Sequence, residues 1–137
     1  MRVYFDSSAF AKRYIAETGT AEVLAWCERA SELALSVIAV PELISAFCRL
    51  QRDGRLTDAQ YQSIKSDLMA DIADALVCDT TPQVIAHAVK VLESGPLRGM
   101  DAIHLGAALA CAAEVFVSAD ARQCQAAERF GLQVVAL

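Results

Sequence analysis

What most constrains the fold of this chain is a repeated alternation. Short apolar runs (VYF, LAL, LVC, VFV and VV) are separated by longer stretches with helical spacing. Runs that are so short and apolar throughout suit strands buried on both faces of a parallel sheet, with helices making the crossovers. The expected strands are Arg2–Phe5, Leu33–Leu35, Ala75–Cys78, Glu114–Val117 and Leu132–Val135.

Capping chemistry sets the expected helices. Ser7 or Ser8 can cap a first helix running to about Ala16, and a second covers Ala21–Ala30. The third starts between Val37 and Pro41, because proline is tolerated only in a first turn, and Asp53-Gly54-Arg55 ends it. Thr57 caps a helix over Asp58–Asp71, and Thr81-Pro82 opens one that Gly95-Pro96 closes. Gly99–Ala112 is strongly apolar, and Ala119–Phe130 ends at Gly131, a suitable C-cap. The pattern predicts an α/β fold in a single domain, residues 1–137, with a parallel sheet covered on both faces.

Composition narrows the class. With 55% apolar and 21% charged residues, the chain can bury a sizeable core, and no apolar run reaches membrane-spanning length. Arg2 is followed by only three apolar residues and then Asp6, which is not a signal-peptide layout. A soluble, cytoplasmic protein with no membrane contact is expected. The five cysteines are widely spaced in apolar surroundings with no C-x-x-C pair, and read as reduced core thiols. The net charge of −5 does not recruit nucleic acid in bulk, so local basic residues or a metal ion must do so.

In open parallel sheets, sites gather beyond the carboxyl ends of the strands. Asp6 follows the first strand directly, and Asp120 lies just past VFVS. Glu42 in AVPELISAF and Asp101 in LRGMDAIHLGAALA each sit early in an otherwise apolar helix. A first-turn carboxylate is also favoured by the helix dipole, which is a purely structural account of any one of them. Two carboxylates about 4 Å apart repel by roughly 4 kcal/mol at an effective dielectric near 20. A cluster of four would therefore call for a divalent cation, and Mg²⁺ is the natural one, with oxygen ligands and retained waters.

The matching segments VYFDSSAFAKRY, SVIAVPELISAF, LRGMDAIHLGAALA, VFVSADARQ and the closing GLQVV resemble the PIN-domain family, specifically its VapC-type toxin ribonucleases. That resemblance implies a three-layer α/β/α sandwich around a central, mainly parallel sheet. It implies RNA cleavage with Mg²⁺ or Mn²⁺, a cognate antitoxin protein that blocks the site, and a homodimer. Asp6, Glu42, Asp101 and Asp120 become the catalytic and metal-binding acids, with Ser118 matching the family's hydroxyl before the last acid. Pro41 and Gly106 are mild departures from the family pattern.

Supporting residues carry two readings each. Ser7 can cap a helix or contact a metal-bound water or phosphate; Ser118 can orient Asp120 or simply end its strand. His104 lies three residues after Asp101, a D-x-x-H spacing that could serve a metal or a general base, and is expected instead to be a satisfied, buried histidine. Lys12, Arg13 and Arg98 are the basic residues nearest the acids. Phe10 is expected in the core, with Tyr14 and Trp26 framing a groove for an amphipathic antitoxin segment. A phosphatase that needs D-x-D is excluded by Asp6-Ser7-Ser8, and no G-x-G-x-x-G follows a strand. The alternative from another class is a catalytically silent PIN-fold interaction module.

Overall fold

The computed structural model describes all of residues 1–137. Five strands, β1 (Arg2–Phe5), β2 (Glu32–Ser36), β3 (Leu76–Cys78), β4 (Val115–Ser118) and β5 (Gln133–Ala136), form one sheet. Their spatial order is β3-β2-β1-β4-β5, and every neighbouring pair is parallel. The chain builds outward from β1 on one side, then crosses over and resumes at β4 on the other. The seam between β1 and β4 is thus the topological switch point, where parallel sheets place their sites.

Alternation along the strands divides the core in two. Val3, Phe5, Leu35, Val115 and Val117 face one way, while Tyr4, Ala34 and Phe116 face the other. The first face is covered by α1 (Ser7–Phe10) with the 3₁₀ turn Ala11–Arg13, α2 (Thr20–Arg29), α3 (Ala39–Arg52) and α4 (Asp58–Asp74). The second is covered by α5 (Pro82–Ser94), α6 (Gly99–Ala110) and α7 (Ala121–Arg129). This is the three-layer sandwich expected.

Three local expectations are corrected. The first helix ends at Arg13, not near Ala16, because Thr20 Oγ1 donates to the carbonyls of Lys12 (2.8 Å) and Ile15 (3.3 Å). Its cap is Asp6, whose side chain accepts from the Ala9 N–H; Ser7 and Ser8 lie inside the helix. Trp26 is buried in the first core and stacks under Arg29, 4.3 Å from the ring centroid, so it lines no groove.

Gly106 has a packing reason. A Cβ there would lie 2.5 Å from the Val84 carbonyl oxygen and 3.2 Å from the Ala88 nitrogen. Only glycine lets α6 approach α5 so closely. That approach fixes α6, and with it Asp101 and His104.

Candidate active site

The four acids occupy the carboxyl edge of the sheet, and each is held by a different local device. Asp6 leaves β1 with its N–H on the Val117 carbonyl at 3.2 Å, pinned to the β1/β4 seam. Its carboxylate is fully buried. Oδ1 accepts from Ser8 Oγ at 2.7 Å and the Ala9 N–H at 2.9 Å; Oδ2 accepts from Ser118 Oγ at 2.6 Å. Burial pushes its carboxyl above the usual range, and the donors from Ser118, Ala9 and Ser8 offset part of that rise.

Ser118 therefore does more than end a strand. Its Oγ donates to Asp6 and accepts the Asp120 N–H at 3.0 Å, which ties the first and last acids together. Ser8 makes a second tie, accepting the Ala119 N–H at 3.2 Å. Asp120 is the N-cap of α7, with Oδ1 accepting from the Arg122 and Gln123 N–H groups at 2.9 and 3.1 Å.

Glu42 lies in the first turn of α3. Its Oε1 receives Ser7 Oγ at 2.8 Å and meets His104 Nε2 at 2.7 Å. Burial raises its carboxyl, but the hydrogen bonds from His104 and Ser7 hold it below the usual range. Ser7 is accordingly a partner of Glu42, not a cap. His104 is buried and satisfied as expected, with Tyr4 on its other nitrogen at 3.0 Å.

Asp101, in the first turn of α6, is the most loosely held. Arg98 Nε lies 3.3 Å from Oδ2, and Gln123 Nε2 donates to Oδ1 at 3.1 Å. Asp101 borders two cavities. One, of about 540 Å³, it shares with Asp120, Arg98 and Arg122. The other, of about 680 Å³, it shares with Glu42 and the apolar side chains of Ile85, Val89, Leu92 and Met100. The acids thus form a connected band, with Asp6 behind and the other three opening onto solvent-filled space.

Of the basic residues singled out in the sequence, only Arg98 belongs here. Lys12 pairs with Glu17, and Arg13 with Asp71. Gln123 is the participant that the sequence conceals. It bonds Asp101 through its side chain and Asp120 through its backbone, and its buried Oε1 has no hydrogen-bond partner. Its three-residue spacing from an N-capping acid was the one available signal.

This donor set is entirely oxygen, the kind that holds Mg²⁺ or Mn²⁺. The orphaned Gln123 oxygen is a buried acceptor beside Asp101, suited to a cation or a water that it carries. No group of three or more acidic, cysteine or histidine side chains closes on one point as a metal cage would. That is compatible with Mg²⁺, which takes one or two carboxylates and keeps its waters. The residues fit the ion. The repulsion expected among four crowded carboxylates does not govern Asp6, whose state is set by burial.

Residues 3–129 match the family model of the PIN domain. The chain belongs to the PIN domain family. This PIN domain is 33% identical over 108 residues to Ribonuclease VapC45 of Mycobacterium tuberculosis (strain CDC 1551 / Oshkosh), covering 79% of this chain and 75% of the relative. Its fold is similar to FitAcB from Neisseria gonorrhoeae, with a TM-score of 0.70 at 16% identity over 96% of this chain and 95% of that one. It is also similar to a toxin–antitoxin complex from Klebsiella pneumoniae, with a TM-score of 0.67 at 14% identity, covering 98% and 96%. No helix of this PIN domain is long and apolar enough to cross a membrane.

Proposed function

We propose that this PIN domain is a Mg²⁺-dependent ribonuclease, the toxin of a toxin–antitoxin pair, with Asp6, Glu42, Asp101 and Asp120 as its catalytic and metal-binding acids. The reading is carried by the connected band of those acids at the β1/β4 switch point. Further support is the ribonuclease name of VapC45, a relative at 33% identity. Mg²⁺, or Mn²⁺ in its place, would supply charge neutralisation at the scissile phosphate and an acidified water when bound.

The chain's own residues divide the remaining work. Asp101 and Asp120 open onto a shared cavity and offer carboxylate oxygens there. Asp6 backs them, its buried charge oriented by two serines and a backbone amide. Glu42 borders the second cavity, fixed through one oxygen and free to accept at the other. The Arg98 side chain, 81% exposed on the rim, offers a cation to an RNA phosphate.

The test is cleavage of total RNA by the purified protein. Cutting is expected with Mg²⁺ or Mn²⁺ and not in EDTA; full activity in EDTA would refute the metal-dependent reading.

Two protein partners follow from the same reading. The toxin–antitoxin complex with this fold supports an antitoxin for this chain. A shallow apolar cavity of about 300 Å³ between Tyr14–Ala16 on one side and Leu56 with Gln60 and Ile64 of α4 on the other gives its amphipathic segment a seat. A second copy of the chain is assigned to the exposed stripe Ile85, Val89 and Leu92 on α5 with Met100 of α6, which borders the acidic band. Native mass spectrometry of the protein co-expressed with its neighbouring small reading frame reads both. Val89→Glu should break the pair of copies and leave the antitoxin bound.

A further inference from the structure

We propose that Tyr4 and His104 form a buried relay that fixes the Glu42 carboxylate, making His104 a positioning residue of the site. The inference rests on the nuclease reading above and names a device that the four acids alone do not contain.

Tyr4 sits at the centre of β1 and is fully buried. Its ring stacks on Phe116 (centroids 5.6 Å apart, planes 7° from parallel) and meets the His104 ring edge-on at 6.2 Å. A buried phenol O–H needs an acceptor. The one it meets is His104 Nδ1, at 3.0 Å. Nδ1 must then carry a lone pair, so the neutral ring bears its proton on Nε2. That proton is directed at Glu42 Oε1, 2.7 Å away.

The consequence is directional. Tyr4 selects the tautomer, the tautomer makes Nε2 a donor, and the donor holds Glu42. Ser7 Oγ donates to the same oxygen at 2.8 Å, so two rigidly mounted donors grip Oε1. Oε2 is left to the 680 Å³ cavity that Glu42 shares with Asp101. A glutamate has three side-chain torsions to freeze, and this grip freezes them before any ligand arrives. A histidine serving only the core would need its nitrogens satisfied anywhere. Here one nitrogen bonds the sheet interior and the other a candidate catalytic acid.

The protein has two histidines, so long-range ¹H–¹⁵N spectra resolve both imidazoles, and His87→Gln assigns them. His104 is expected to show a single tautomer protonated on Nε2. Tyr4→Phe keeps the ring packing, removes the hydroxyl, and should turn that signature into a tautomer average. In RNA cleavage with Mg²⁺, Tyr4→Phe should lower kcat about tenfold with KM within about twofold, the scale of outer-shell partners. His104→Gln carries an amide N–H toward Glu42 and should retain at least about fivefold more kcat than His104→Leu.

Three results would overturn the relay. They are a wild-type His104 protonated on Nδ1, an unchanged His104 spectrum in Tyr4→Phe, or wild-type kcat in Tyr4→Phe. If the wild type cuts no RNA, the nuclease reading falls, and the spectra alone still decide the relay.

Discussion

Asp6 and Glu42 on one side of the site, and Asp101 and Asp120 on the other, are alike in local position: each is an acid at or near a helix start. They differ in what holds them. The first pair is gripped by serine hydroxyls and an imidazole, with Asp6 wholly buried. The second pair faces a cavity and relies on backbone amides, Arg98 and Gln123. Even within the inner pair, burial raises the Asp6 carboxyl, while His104 and Ser7 overcome burial and lower that of Glu42. The same local motif yields a strained charge, a stabilised charge and two carboxylates open to a cavity, according to depth and donors.

The largest expected effect tests whether this difference is one of tuning or of function. Asp6→Asn and Asp101→Asn should each reduce RNA cleavage by roughly 10³-fold, because several kcal/mol of charge stabilisation at the phosphate is lost. Equal losses mean that inner and outer acids serve one reaction centre. If Asp6→Asn cuts normally, the inner pair is scaffold and the centre lies wholly in the outer cavity.

Stability should separate the two inner acids by sign. Asp6 has a raised folded pKa, so its charge destabilises the fold once pH passes the unfolded value near 4. In EDTA at pH 7, Asp6→Asn should therefore melt higher than wild type, by roughly 4 °C for each kcal/mol relieved. The gain should shrink to nothing toward pH 4. Glu42 has a lowered folded pKa, so its contribution is present above the unfolded value and lost as pH falls through the folded one. Glu42→Gln should melt lower at pH 7, with the gap closing in acid. Scanning fluorimetry from pH 3 to pH 8 reads both, and two curves of the same sign would erase the distinction.

The smallest effect belongs to the rim. Arg98 is largely exposed and pairs with Asp101 across 3.3 Å, so Arg98→Ala should weaken RNA binding only a few-fold. The salt dependence of KM should fall by about one phosphate contact, with kcat little changed. A large loss of kcat would move Arg98 into the reaction itself.

The strands and the edge carrying the acids were legible because short apolar runs and capping residues are local signals. Asp6, Glu42, Asp101 and Asp120 could be picked out as carboxylates in apolar company. Ser118 and Ser7 were found, and Ser118's tie to Asp120 was one of its two readings, but its bond to Asp6 across 112 positions and that of Ser7 to Glu42 across 35 were not. Trp26 was misread because an aromatic on an amphipathic helix looks the same whether it lines a groove or fills a core. Gln123 was missed because a glutamine in a polar helix reads as surface, and only tertiary packing buries it against Asp101. Gly106 looked like a deviation and is a contact distance.

The hydrogen bond between Ser118 and Asp6 joins residues 112 positions apart. Measured along the chain this is a separation; measured on a ribosome it is a delay. At about 5–20 residues per second, roughly 6–22 s pass between the synthesis of Asp6 and that of Ser118. During that interval β1 has no β4 to pair with, and Asp6 has no seam to enter. On the proposed reading a partly made chain is unarmed, and the activity begins only when the last third of the sequence has emerged. An antitoxin seated on α4 and the segment after α1 would find its docking surface made before the weapon is.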